Sequence, residues 1–105
     1  MDLSDHLLHD EQIRRFITDG YVHVQTELPD ELHGRIWERT ASAFTGADSL
    51  DASWRVNPLN NILPQVSEIQ QVLDAPQVRG ALTSLLGPGY IMHPHRHCHP
   101  NYPRQ

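Results

Sequence analysis

Histidines occupy every second position near the end of the chain, in the run Tyr90-Ile-Met-His-Pro-His-Arg-His-Cys-His-Pro100. Successive side chains of a β-strand point to opposite faces, so an extended backbone would place all four imidazoles on one face. The four residues are His93, His95, His97 and His99. The alternation therefore predicts a strand over Tyr90–His99. Pro94, on the opposite face, cannot donate a ladder hydrogen bond, which indicates an edge strand or a bulge.

Apolar residues at helical spacing predict four helices in the rest of the chain. The predicted ranges are His9–Asp19, Pro29–Gly46, Gln65–Leu73 and Pro76–Leu86. Gly20 is suited to end the first helix, and we expect Trp37 in the buried stripe of the second. The β-rich run Tyr21–Gln25 predicts a strand, Ala47–Pro64 predicts a long irregular loop, and Gly87-Pro-Gly89 predicts a turn.

The net charge of the chain limits the kinds of molecule that we expect it to bind. The 105 residues carry eight basic side chains, all Arg, against 13 acidic ones, for a formal net charge of −5. Domains that bind nucleic acid usually carry a basic surface, so we expect no nucleic-acid partner. No apolar run approaches the roughly 20 residues that span a bilayer, so we expect no membrane contact. The single cysteine and the lack of a signal-peptide pattern predict a soluble, cytoplasmic chain forming one small domain.

The histidine run has two chemical interpretations. Alternate residues of a strand lie about 7 Å apart, so two imidazoles can share a metal ion, but a catalytic site needs a further ligand, often a carboxylate. His23 could approach, and no other region offers a strong partner. In the other interpretation the run is a polar pocket lining or a solvated strand face. Cys98 points away from His97 and His99, which favours a structural thiol over a Cys-His nucleophile.

Two stretches of the chain share the order and spacing of one family's motifs. The first is His9-Asp-Glu-Gln-Ile-Arg-Arg-Phe-Ile-Thr-Asp-Gly-Tyr-Val-His-Val24, followed by the helix opening Pro29-Asp-Glu-Leu32. The second is Leu85-Leu-Gly-Pro-Gly-Tyr-Ile-Met-His-Pro-His-Arg-His-Cys-His-Pro-Asn101. The first resembles the opening of the phytanoyl-CoA dioxygenase family, and the second resembles the segment just before that family's iron motif. The resemblance covers nearly the whole chain, more weakly over Ala47–Pro64.

The resemblance implies an α+β fold, namely the N-terminal helices and first strands of a double-stranded β-helix, or jelly roll, incomplete in this chain. Residues 1–105 would be the N-terminal part of such a domain, truncated before the iron-binding motif. The implied activity is that of a non-haem Fe(II)- and 2-oxoglutarate-dependent dioxygenase, an oxidoreductase that couples oxidative decarboxylation of 2-oxoglutarate to hydroxylation of a small organic substrate.

The family holds iron with a His-x-Asp and a later His, and binds 2-oxoglutarate with an Arg beyond them. None of these has a counterpart here, so no catalytic residue and no metal ligand is assigned, and we expect the chain alone to be inactive. By position, His95, His97 and Asn101 are the candidates for contacts with 2-oxoglutarate or substrate, and Arg96 replaces the histidines if the strand faces the other way. The alternative hypothesis is a small His-rich metal-binding module or a helical interaction module.

Overall fold

The described part of the chain is helical. The computed structural model describes residues 2–44 and 62–93. These contain a short 3-10 helix, Ser4–His6, and four α-helices: α1 (Asp10–Asp19), α2 (Asp30–Phe44), α3 (Ile69–Asp74) and α4 (Pro76–Leu86). Neither described range contains a β-strand. No helix within these ranges is long and apolar enough to cross a membrane.

The chain divides into two compact units. The first unit comprises Met1–Leu28 and Gln71–Ile91, and the second comprises Pro29–Gln70 and Met92–Gln105. The first unit contains α1 and α4, which are far apart in sequence, whereas the second contains α2. The α3 helix spans the boundary, since its first two residues belong to the second unit and the others to the first.

Local signals at both ends fix the limits of α1. His9 is the N-cap, with extended backbone angles, and it forms a capping box with Gln12. The first turn carries Asp10 and Glu11, which favour the positive end of the helix dipole. Gly20 ends the helix in the left-handed conformation, with φ +84°, and its N–H donates to the Phe16 carbonyl at 2.9 Å. A glycine adopts this conformation without steric cost, which explains why the helix ends there.

In the first unit, the N-terminal segment lies directly on α4. The backbone N–H of Leu8 donates to the Ser84 hydroxyl at 2.9 Å. One turn earlier on the helix, Gly80 lies so close to the His6 backbone that a Cβ atom at this position would overlap the His6 carbonyl group. Gly80 and Ala81 are both buried. The absence of a side chain at Gly80 therefore allows the 3-10 helix to approach α4 closely.

In the second unit, the buried residues come from α2 and from the turns before α3. Leu32 and Val66 are fully buried, and Ile62 is nearly so. The Ile62 carbonyl accepts from the amides of Gln65 and Val66 at 3.0 and 3.1 Å. Beside this apolar cluster, the guanidinium of Arg39 pairs with the buried carboxylate of Glu68, with Nη1 3.1 Å from Oε2.

The predicted helices at both ends of the first unit are confirmed. The structure has α1 over Asp10–Asp19, with His9 as its cap, and α4 over Pro76–Leu86, as the sequence predicts. The helix predicted over Gln65–Leu73 begins later, at Ile69, after a series of turns. The Gly87-Pro-Gly89 turn is also present, and the Tyr90 N–H donates to the Gly87 carbonyl at 3.3 Å.

The predicted α+β fold, the start of a jelly roll, is wrong for the described residues. The Tyr21–Gln25 run and the described part of the second predicted strand, Tyr90–His93, form no ladder. Sequence alternation describes the two faces of a strand but not the partner whose backbone must pair with it, and no such partner lies within residues 2–44 and 62–93. Trp37 is also not buried, since 73% of it is exposed.

The close approach at Gly80 predicts opposite effects for two glycine-to-alanine substitutions. In Gly80→Ala the new methyl group meets the His6 backbone, and we expect a loss of about 1–3 kcal/mol of stability from overpacking. Gly34 lies on α2, where a new methyl group would have nothing within 4 Å. Gly34→Ala should therefore stabilise the chain by about 0.5–1 kcal/mol. Urea unfolding followed by circular dichroism measures the free energy of unfolding of both variants. Equal changes in the two variants would contradict the close approach of the His6 backbone to Gly80.

The buried carboxylate predicts a specific acid sensitivity. The pKa of Glu68 is lowered from its ordinary value of 4.5, first by a hydrogen bond from its own backbone and then by Arg39, against the opposing effect of burial. A carboxyl group with a lowered pKa in the folded state stabilises the fold above its unfolded pKa, and this contribution disappears as the pH falls through the folded value. The stability difference between the wild type and Glu68→Gln should therefore shrink below about pH 4.5.

Glu38→Gln is the matched control, because Glu38 lies on α2 next to Arg39 and is exposed. Chemical unfolding of the three proteins between neutral and acidic pH measures the difference. A constant gap between the wild type and Glu68→Gln at all pH values would show that the Glu68 charge does not stabilise the fold.

Candidate functional site

The residues that the sequence nominates for ligand binding lie outside the described residues. This applies to His95, His97 and Asn101, and equally to Arg96, the candidate for the opposite strand face. Of the four alternating histidines, His93 is described; it is exposed and belongs to no regular secondary structure. The assignment of these residues to a pocket wall therefore stays a prediction from the sequence.

The described histidines and acids do not converge on a metal site. Across residues 2–44 and 62–93, no group of three His, Cys, Asp or Glu side chains could hold a metal ion. His9 is the N-cap of α1, and His33 is exposed on α2. His23, which the sequence offers as a partner for the histidine run, has its ring against Tyr21. The described residues therefore do not fit the iron that the family resemblance implies.

A polar cleft lies where α1 meets the segment that follows it. We call it the α1 cleft; its lining includes His9, Glu11, Arg15, Asp19, Tyr21 and His23. It encloses about 700 Å³, part of which is open to solvent. All of the lining belongs to the first unit. Two imidazoles, two carboxylates and one guanidinium thus lie around one space.

Most of the charged side chains that line this cleft take part in ion pairs along α1. The Glu11 carboxylate lies 3.3 Å from Nη1 of Arg14 and 3.6 Å from Nε of Arg15. Both pairs are more than half exposed, and such surface pairs contribute little stability. On the segment that follows α1, the rings of Tyr21 and His23 meet edge to face, with centroids 5.5 Å apart and an interplanar angle of 84°.

The segment from Tyr21 to Leu28 has two distinct faces although it is not part of a sheet. Exposure alternates strictly along it, with the odd-numbered residues exposed and the even-numbered residues half-buried. The residue order predicts Val22 and Val24 on one face and Tyr21 and His23 on the other, and the structure confirms this grouping. The alternation shows that the segment has the period of an extended strand.

The half-buried face of this segment borders an apolar groove. The groove is lined by Phe16, Val22 and Val24 on one side and by Val78, Leu82 and Leu85 of α4 on the other. It encloses about 690 Å³, part of which is open to solvent. The sequence indicated which residues of each element are apolar but not that these two elements, more than 50 residues apart, form one groove. No local signal could have revealed that pairing.

Comparisons with known proteins provide no relative for this chain: no protein-family model, no curated protein and no solved structure matches it.

The two-faced segment predicts different effects for neighbouring substitutions. Val24→Ala removes methyl groups that line the apolar groove, and we expect a loss of about 1 kcal/mol because the side chain is half-buried. Gln25→Ala changes the exposed face and should alter stability by less than about 0.5 kcal/mol. Urea unfolding compares the two variants. A larger effect at position 25 would mean that the faces are reversed.

Proposed function

We propose that this chain contributes to an Fe(II)- and 2-oxoglutarate-dependent oxygenase similar to the phytanoyl-CoA dioxygenases. In this proposal its residues bind and orient 2-oxoglutarate or a small organic substrate, and residues outside this sequence hold the iron. The observation that carries the proposal is the pair of family-like motifs, which lie in the same order and at similar separation in this chain. The proposal concerns the chemistry and does not extend to the jelly-roll fold, which the described residues contradict.

The local structure of the first motif supports the proposal. The family opening consists of a short helix, an Asp-Gly turn and a first strand that begins with Tyr or Phe. In this chain α1 ends at Asp19, Gly20 takes the left-handed conformation, and the segment from Tyr21 has two alternating faces. The next helix begins at Asp30, directly after Pro29. The helix and the Asp-Gly turn therefore agree with the motif, whereas the segment from Tyr21 is not a strand among the described residues.

The local structure before the second motif agrees in the same limited way. The α4 helix ends at Leu86, its cap Gly87 has φ +93°, and the turn at Gly87-Pro-Gly89 leads into Tyr90. The chain beyond His93 lies outside the described residues. His95, His97 and Asn101, or Arg96 on the other face, are assigned to ligand contacts by the position that the resemblance gives them.

Activity of the full gene product tests the proposal. The coding sequence downstream of codon 105 should continue in frame into a His-x-Asp within roughly a dozen codons. The protein expressed from the whole reading frame should form succinate from 2-oxoglutarate only when Fe(II) is added. His95→Ala and His97→Ala should raise the KM for 2-oxoglutarate or substrate about tenfold or more, because each removes a hydrogen bond to a bound ligand. Succinate release measured over a range of 2-oxoglutarate concentrations gives these values.

Arg96→Ala is the matched control, since it changes the neighbouring position on the other strand face. If Arg96→Ala has the large effect and the histidine variants do not, the predicted strand orientation is reversed but the oxygenase proposal stands. A reading frame without an iron motif, or a full product that forms no succinate with Fe(II), would refute the proposal. So would tight binding of iron with 2-oxoglutarate by these 105 residues alone.

A second candidate function is an interaction module, and the helical character of the described residues favours it. The apolar groove and the exposed Trp37 are surfaces that a partner could cover. In the His-rich version of this hypothesis, the terminal run binds Zn²⁺, Ni²⁺ or Cu²⁺. Alanine at His95 and His97 should then abolish metal binding and lower the Tm of the chain, whereas the oxygenase proposal predicts neither effect for these 105 residues.

A further inference from the structure

The N-cap of α1 is an imidazole. Nδ1 of His9 accepts a hydrogen bond from the Gln12 backbone N–H at 3.4 Å, and the Gln12 side-chain oxygen accepts from the His9 N–H at 3.0 Å. Ser, Thr, Asp and Asn are the usual residues at this position, and their oxygen atoms accept a hydrogen bond throughout the neutral and mildly acidic pH range. An imidazole nitrogen accepts a hydrogen bond only while it carries no proton.

Protonation of His9 would weaken the first turn in two ways. The Nδ1 atom would become a donor facing the Gln12 N–H, so the capping hydrogen bond would be lost. The added positive charge would also lie at the positive end of the helix dipole, where cations are unfavourable. Histidine is the side chain whose ordinary titration falls between about pH 5 and pH 8. The cap is therefore built from a group that changes its bonding in the physiological range.

Several charged and titratable groups lie near His9. Asp10 and Glu11 lie in the first turn of α1, and Glu11 pairs with Arg14 and Arg15. The other groups lie around the α1 cleft and comprise Arg15 and Asp19 of α1, and Tyr21 and His23 of the following segment. None of these groups replaces the acceptor that the Gln12 N–H loses when Nδ1 is protonated.

We propose that His9 makes the first turn of α1 a pH-sensitive element, which is closed when the imidazole is neutral and opens when it is protonated. His9, Glu11 and Gln12 all line the α1 cleft, so opening the turn also dismantles one wall of that cleft. Leu8 is hydrogen-bonded to Ser84 on α4, which holds the chain just before the cap in place.

NMR on the full 105-residue chain tests the proposal. The ¹³Cα shifts of Asp10, Glu11 and Gln12 report the helix-to-coil ratio of the first turn, and the Gln12 amide reports the capping bond. Between about pH 8 and pH 5 this ratio should fall about fivefold in the wild type, the size of a typical N-cap contribution. In His9→Asn, whose amide oxygen accepts at both pH values, the ratio should stay constant. In His9→Ala it should be low and constant.

His23→Gln separates the cap from the other imidazole of the cleft, and it should titrate like the wild type. The Glu68–Arg39 pair does not interfere in this window, because the pKa of Glu68 lies below its ordinary 4.5 and the carboxylate keeps its charge. A fivefold fall in His9→Asn would overturn the proposal by assigning the transition to another group. A wild type whose first turn does not change between the two pH values would overturn it as well.

Discussion

The contact between the N-terminal segment and α4 organises the first unit. The hydrogen bond from Leu8 to Ser84 joins residues 76 positions apart, and the bare face of Gly80 allows the His6 backbone to approach. This contact holds the chain just before α1, because Leu8 directly precedes the cap His9. The apolar groove combines residues of α4 with residues of α1 and the segment that follows it, whereas the α1 cleft is lined by α1, its cap and that segment. A single hydrogen bond would not hold this arrangement, whose stability also depends on the small buried residues of α4.

The sequence predicted those features that depend on neighbouring residues. The limits of α1 and α4 were predictable from an acidic first turn, a helix-starting proline and two glycines, all within a few positions, whereas the cap at His9 was not predicted. The alternating faces of Tyr21–Gln25 were also predictable, since they follow from residue order alone. Whether these residues join a sheet was not predictable, because a ladder requires backbone groups from another segment. The prediction that Trp37 is buried was wrong for a related reason. The helical spacing of Trp37 matched the apolar stripe, but only tertiary packing decides whether such a side chain is covered.

The segment from Tyr21 to Leu28 shows how a strand-like sequence can be satisfied without a sheet. Its valines border a groove with α4, so part of the apolar burial that a sheet would supply comes from a helix instead. The groove does not replace a sheet for the backbone, because burial of side chains does not provide hydrogen-bond partners for the amides.

The chemistry of the described side chains decides which experiments separate the two proposed functions. An oxygenase needs ligands that converge on iron, and the histidines and acids of residues 2–44 and 62–93 do not converge. In the hypothesis of a His-rich module, metal binding by the chain alone rests on the terminal histidine run. In that case it would be sensitive to alanine at His95 and His97 and indifferent to 2-oxoglutarate. In the oxygenase proposal, by contrast, residues outside this sequence would hold the iron, and 2-oxoglutarate would bind together with it. The two functions thus differ in whether the co-substrate and the metal bind together, and this difference can be measured without knowing the substrate.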